Sequence, residues 1–126
     1  MRKLALTVLD KEYTIHRLDP DADIPATVLG SQFYSISRTD EELSIVCEPD
    51  IEIDSAKSSA DWSCIKVIGP LDFSLTGILA GISATLADAK ISLFAISTFD
   101  TDYFLVKSRE LPNVLYTLKN AGYVIE

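Results

Sequence analysis

The residues of this chain with chemical potential fall into two short stretches. The first is Gly69-Pro70-Leu71-Asp72-Phe73-Ser74-Leu75, which follows the apolar run Cys64–Ile68 and precedes a helical repeat. A strand that turns into a helix leaves unpaired N–H groups at the positive helix end, a natural dock for a small anion such as a carboxylate. The second stretch is Thr98-Phe99-Asp100-Thr101-Asp102, between two apolar runs. Asp102 there can accept an ammonium or a cationic side chain, while Phe73 and Phe99 can wall a pocket and Phe99 can add a cation–π contact. Each residue also has a plainer role: Asp72 as a helix cap, Asp100 and Asp102 as turn-formers, and the two phenylalanines as core.

Other chemistries lack their residues. With His16 as the only histidine there is no Ser-His-Asp arrangement, and two cysteines plus one imidazole do not complete a tetrahedral zinc site. Cys47 and Cys64 read as reduced, buried thiols, and His16 as a structural residue on a strand face. No pair of acid and base groups and no phosphate-binding glycine loop is evident, so the chain reads as a non-enzyme without cofactor. Its 19 acidic and 11 basic residues leave a net charge of −8, which disfavours nucleic acid and anionic membrane surfaces. Apolar runs such as Ile91–Ile96 are far too short to span a bilayer, and Met1–Leu6 carries no signal-peptide pattern, which points to the cytoplasm.

The elements that must position these stretches follow from periodicity. Leu4–Leu9 and Tyr13–Leu18 predict a hairpin across Asp10-Lys11-Glu12, and Pro25–Gly30 a short helix. Phe33–Arg38 and Leu43–Glu48 predict a second hairpin. Seven carboxylates and no basic residue lie between Asp40 and Asp54, mostly a solvated face, and residues 49–61 read as an acidic linker. Beyond it, Cys64–Ile68 is a strand, and Leu75, Ile78, Leu79, Ile82 and Leu86 form the apolar stripe of a helix. Gly77, Ala80, Gly81 and Ala84 give that helix a second face of small residues, suited to close packing of another backbone or to a ligand. Ile91–Phe99 and Tyr103–Lys107 are strands, Leu111, Val114, Leu115 and Leu118 a second helical stripe ended by Gly122, and Tyr123–Ile125 a last strand. The order is β-α-β-β-α-β, the ferredoxin-like α+β plan of an antiparallel sheet with helices on one face. A weak repeat aligns Ile36-Ser37 with Ile96-Ser97, Asp40 with Asp100, and Ile45-Val46 with Leu105-Val106. Residues 1–61 therefore read as a degenerate first module and 62–126 as a complete second one.

Glu42–Val46, Gly69–Gly77 and Ile96–Tyr103 together resemble the ACT domain family of small regulatory modules, in its tandem branch related to the CASTOR arginine sensors. The resemblance implies an effector sensor that binds an amino acid where two modules or two subunits meet, with Gly69, Asp72, Phe73, Ser74 and Leu75 at one loop and Thr98, Phe99 and Asp102 at the other. It also implies a homodimer and a regulated protein partner. The aspartates lean toward a basic amino acid. This chain departs from the sensor pattern in having two modules instead of four, and a first module without a full second helix. A protein-interaction module with no ligand is the other reading.

Overall fold

The structure is a computed structural model that describes residues 4–69 and 77–126. The chain divides into two compact units, one made of the chain up to Asp10 together with Ser63–Glu126, the other of Lys11–Trp62. The strands β1 (Ala5–Leu18) and β4 (Lys57–Val67) contribute residues to both.

In the first unit the elements after β4 are helix α1 (Ile78–Asp88), strands β5 (Phe94–Ser97) and β6 (Asp102–Lys107), helix α2 (Leu111–Asn120) and strand β7 (Val124–Ile125). This is the β-α-β-β-α-β order that periodicity predicts. The sheet of this unit runs β7-β1-β4-β6-β5. In the plain ferredoxin-like plan the last strand would lie beside β4; here β1 intervenes and pairs with β7 in parallel, Ala5 opposite Val124 and Leu6 opposite Ile125. Ala5 O also accepts the Ile68 N–H at 2.9 Å, and Leu6 O the Glu126 N–H at 2.8 Å.

Alternation along the strands explains the core. Leu6, Ile65, Val67, Phe104 and Val106 share one cluster with Ile82 and Leu86 of α1 and Val114 and Leu118 of α2, so both helices cover the same sheet face. Each such side chain contributes about 1.5–3 kcal/mol on burial. Of the expected α1 stripe, Ile78, Ile82 and Leu86 enter the cluster, Leu79 is half-buried, and Leu75 lies outside the described residues.

The small-residue face of α1 has two separate causes. Gly77 precedes the helix with φ of +79°, a left-handed conformation that glycine adopts without a Cβ clash. Gly81 faces Tyr123, whose hydroxyl would stand 3.2 Å from an added Cβ. Close packing thus explains Gly81 and backbone conformation explains Gly77. The described helix starts at Ile78; Asp72, expected to cap it, lies outside the described residues.

The second unit differs from a further β-α-β-β-α-β copy. Between the end of β1 and the start of β4 it holds a 3₁₀ helix (Ala26–Gly30) and the hairpin of β2 (Ser35–Arg38) and β3 (Leu43–Cys47), with no α-helix. The structure is therefore one ACT-like module in its α+β arrangement. Two local expectations change. Asp10-Lys11-Glu12 makes no turn; these exposed residues continue β1. The expected linker is already strand from Lys57, with Asp61 at φ of +66° within it.

The core of this unit is Leu18, Val28, Leu43, Ile45 and Cys47, with Ile51 and Ile53 packed against it from the chain after β3. His16 pairs with Ile45 across β1 and β3 and is buried on the same face. Its Nδ1 lies 3.0 Å from the Ser55 hydroxyl, while Nε2 is buried without a hydrogen-bond partner among the described residues. Cys47 and Cys64 are both free and buried, as expected. Burial pushes the Cys64 thiol up to about 12, and burial with the nearby Asp50 and Glu48 raises Cys47 as well, so both stay protonated and unreactive.

Burial also holds the His16 imidazole below its ordinary value of 6.5. The unfolded chain therefore takes up this proton first as pH falls through 6.5, and the stability present above that pH is lost below it. Urea unfolding between about pH 7.5 and about pH 5.5 should show a falling midpoint in the parent chain and a flatter profile in His16→Asn. Identical slopes in the two proteins would remove His16 as the cause.

Candidate functional site

All residues of the candidate site that the structure describes belong to the first unit. Its frame is the turn between β5 and β6. Ser97 and Asp102 are paired across the hairpin, and the residues between them close on themselves: the Thr98 N–H donates to Thr101 O at 2.8 Å, and the Thr98 hydroxyl donates to the same oxygen at 2.9 Å. The Thr101 N–H in turn donates to Thr98 Oγ1 at 3.3 Å. Such side-chain-to-backbone bonds are why threonine and aspartate suit tight turns.

Thr101 then ties this turn to the rest of the sheet. It is buried, and its hydroxyl donates to the Val67 carbonyl at 2.6 Å. Val67 ends β4, two residues before Gly69, so the β5–β6 turn is held against the β4 end. The consequence is a recess of about 290 Å³, open to solvent, lined by Lys66, Gly69, Thr98, Asp100, Thr101 and Tyr103. Ile65 and Val67 point into the helix-covered core, as do Phe104 and Val106. By the two-residue alternation Lys66 and Tyr103 must therefore face the opposite, helix-free side of the sheet.

The expected residues distribute unevenly over this geometry. Gly69 and Thr98 line the recess together. Phe99 sits at the turn tip, 79% exposed, and is not among the lining residues. Asp102 is half-buried at the base of the turn, where its Oδ1 accepts the Ser97 hydroxyl at 2.6 Å. Asp72, Phe73, Ser74 and Leu75 lie outside the described residues.

Lys66, Thr101 and Tyr103 did not figure among the expected site residues, and Asp100 figured only as a turn-former. A signal for Lys66 existed: it is the one charged residue in Cys64-Ile65-Lys66-Val67-Ile68, and strand alternation sets it opposite its buried neighbours. Among the described residues no cluster of histidine, cysteine or carboxylate groups could hold a metal ion, and no helix is long and apolar enough to cross a membrane.

Comparison with known proteins agrees with this architecture. The ACT domain family profile matches residues 57–120, slightly more than half of the chain and most of the module from β4 to α2. This chain belongs to the ACT domain family. A second profile, for an N-terminal domain, matches residues 11–53, which fall inside the Lys11–Trp62 unit of the ACT protein. Human CASTOR3P is 33% identical over 123 residues, covering 84% of this chain and 76% of that protein. The human cytosolic arginine sensor for mTORC1 subunit 1 is 28% identical over 125 residues; the match covers 92% of this ACT protein but only 38% of the sensor. Among solved structures, the crystal structure of Atu0741 from Agrobacterium tumefaciens superposes with a TM-score of 0.91 at 40% identity, covering 100% of this chain and 94% of the other. The regulatory subunit of aspartate kinase from Thermus thermophilus shares the fold, with a TM-score of 0.64 at 9% identity over 93% of this chain and 97% of that one.

Thr101→Val keeps the branched shape of the side chain but leaves the Val67 carbonyl without its side-chain donor. Losing a buried partner costs about 1–3 kcal/mol, which should appear as a lower urea midpoint with an unchanged slope. A variant as stable as the parent would show that this bond does not hold the turn.

Proposed function

We propose that this protein is a small regulatory module that senses a free amino acid and passes its occupancy to a protein partner. The observation that carries the reading is that Gly69 and Thr98, from the two loops to which the ACT resemblance points, line one recess. A recess of about 290 Å³ is at the lower end of small-molecule sites, of the size for a single amino acid. A relative supports the class of function, being named as a cytosolic arginine sensor.

In this reading the sensing module is 62–126 together with β1, and the shorter N-terminal half is a degenerate tandem copy that keeps a strand-turn-strand unit. The working form is a homodimer in the cytoplasm, in which the turn at Thr98–Asp102 meets a second subunit. The 79% exposure of Phe99 at the turn tip supports such a contact, because a large aromatic ring in water is a common interface residue. The residues after Gly69, with Asp72, Phe73, Ser74 and Leu75, complete the ligand contacts from the side of the helix start. Asp102 remains the acceptor for a basic side chain through its second oxygen. The module does no chemistry of its own and needs no cofactor.

Calorimetry and thermal melting against the twenty common L-amino acids, L-arginine first, provide the test. One amino acid at millimolar concentration or below should give heat and raise the melting temperature, and Asp102→Ala should weaken a basic ligand by roughly tenfold while the chain stays folded. Silence across all twenty would leave the interaction module without a ligand as the better account.

A further inference from the structure

The recess contains a pair of opposite charges that the loop-based reading does not use. Lys66 enters it from β4 and Asp100 from the β5–β6 turn. Among the described residues neither makes an ion pair. Among the described residues the Lys66 ammonium is therefore a positive charge in the recess that an anionic group can meet, in a chain with a net charge of −8. Lys66 is half-buried on the helix-free face of the sheet, so part of its hydration is already removed, while Asp100 stays exposed at the mouth. A bound group of opposite sign would restore what the lysine lacks.

We infer that Lys66 and Asp100 read the two charges of a zwitterion: the Lys66 ammonium takes the α-carboxylate of the ligand and the Asp100 carboxylate takes its α-ammonium. The inference rests on the amino-acid-sensing reading and deepens it. It relocates the carboxylate contact from the helix start, where the sequence alone sets it, to a side chain on β4. Recognition is then aimed at the part common to all α-amino acids, and the choice among them falls to whatever surrounds the ligand side chain. Thr101 acts here as a positioning residue, since its bond to Val67 O is what brings the turn bearing Asp100 to the strand end beside Lys66.

The pair is tested with the full-length chain and three forms of one ligand: the amino acid among the twenty that binds most tightly, its α-amide and its Nα-acetyl derivative. In the parent chain both blocked forms should bind at least about tenfold more weakly than the free amino acid. Lys66→Met should erase the difference between acid and amide while keeping that between free and acetylated amine. Asp100→Asn should do the converse, and Lys66→Arg should retain most of the affinity. Circular dichroism melting checks that each variant is folded, and a structural defect would lower all three affinities together without changing their ratios. Unchanged affinities or unchanged ratios in Lys66→Met and Asp100→Asn overturn the pair while the sensing function stands. If the parent chain binds none of the twenty, the sensing function fails and this inference falls with it.

Discussion

The first unit depends on a strand that arrives from the far end of the sequence. Ala5 and Leu6 lie between β4 and β7, accepting the N–H groups of Ile68 and Glu126 and holding the two-residue β7 in parallel register. A strand as short as β7 has little stability alone, and pairing with β1 gives its backbone groups partners that water would otherwise supply. The same pairing fixes the exit of β4, because Ile68 is bound to Ala5 immediately before Gly69. The strand end that borders the recess is therefore positioned by residues some sixty places earlier in the chain.

A second constraint builds on the first. The β5–β6 turn is locally complete through Thr98 and Thr101, but its position depends on the buried Thr101 hydroxyl reaching Val67. Two loops far apart in sequence thus meet through one side-chain bond to a backbone carbonyl. The core on the other side of the sheet, from Ile82 and Leu86 to Val114 and Leu118, holds the strands rigid beneath them. The helices stabilise the platform from one side, and the recess lies on the other.

The second unit uses its residues differently. It has a smaller core built from strands and the chain after β3, and it buries a histidine with one nitrogen unpartnered. Burial favours the neutral form of this imidazole, so the second unit carries a built-in acid sensitivity.

The sequence by itself determined the element order from Cys64 onward, the helix stripes, the burial of both thiols and the two loops worth attention. These are local properties: apolar spacing, turn chemistry and charge are written residue by residue and need no distant partner. Through the family resemblance it also led to Gly69 and Thr98 as candidate residues, and both line one recess. Tertiary structure decided what local pattern cannot encode. The polar run Asp10–Glu12 reads as a turn until it is seen to continue β1, and β1 between β4 and β7 is a long-range pairing with no local signature. Lys66 looks like an incidental charge in an apolar strand, and Asp100 like a turn residue, until the Thr101–Val67 bond brings them to one recess. Asp102, the most suggestive carboxylate in the sequence, is partly engaged by Ser97 next to it. Side-chain type announces which chemistry is possible; only the packing of strands decides which of those groups face the same space.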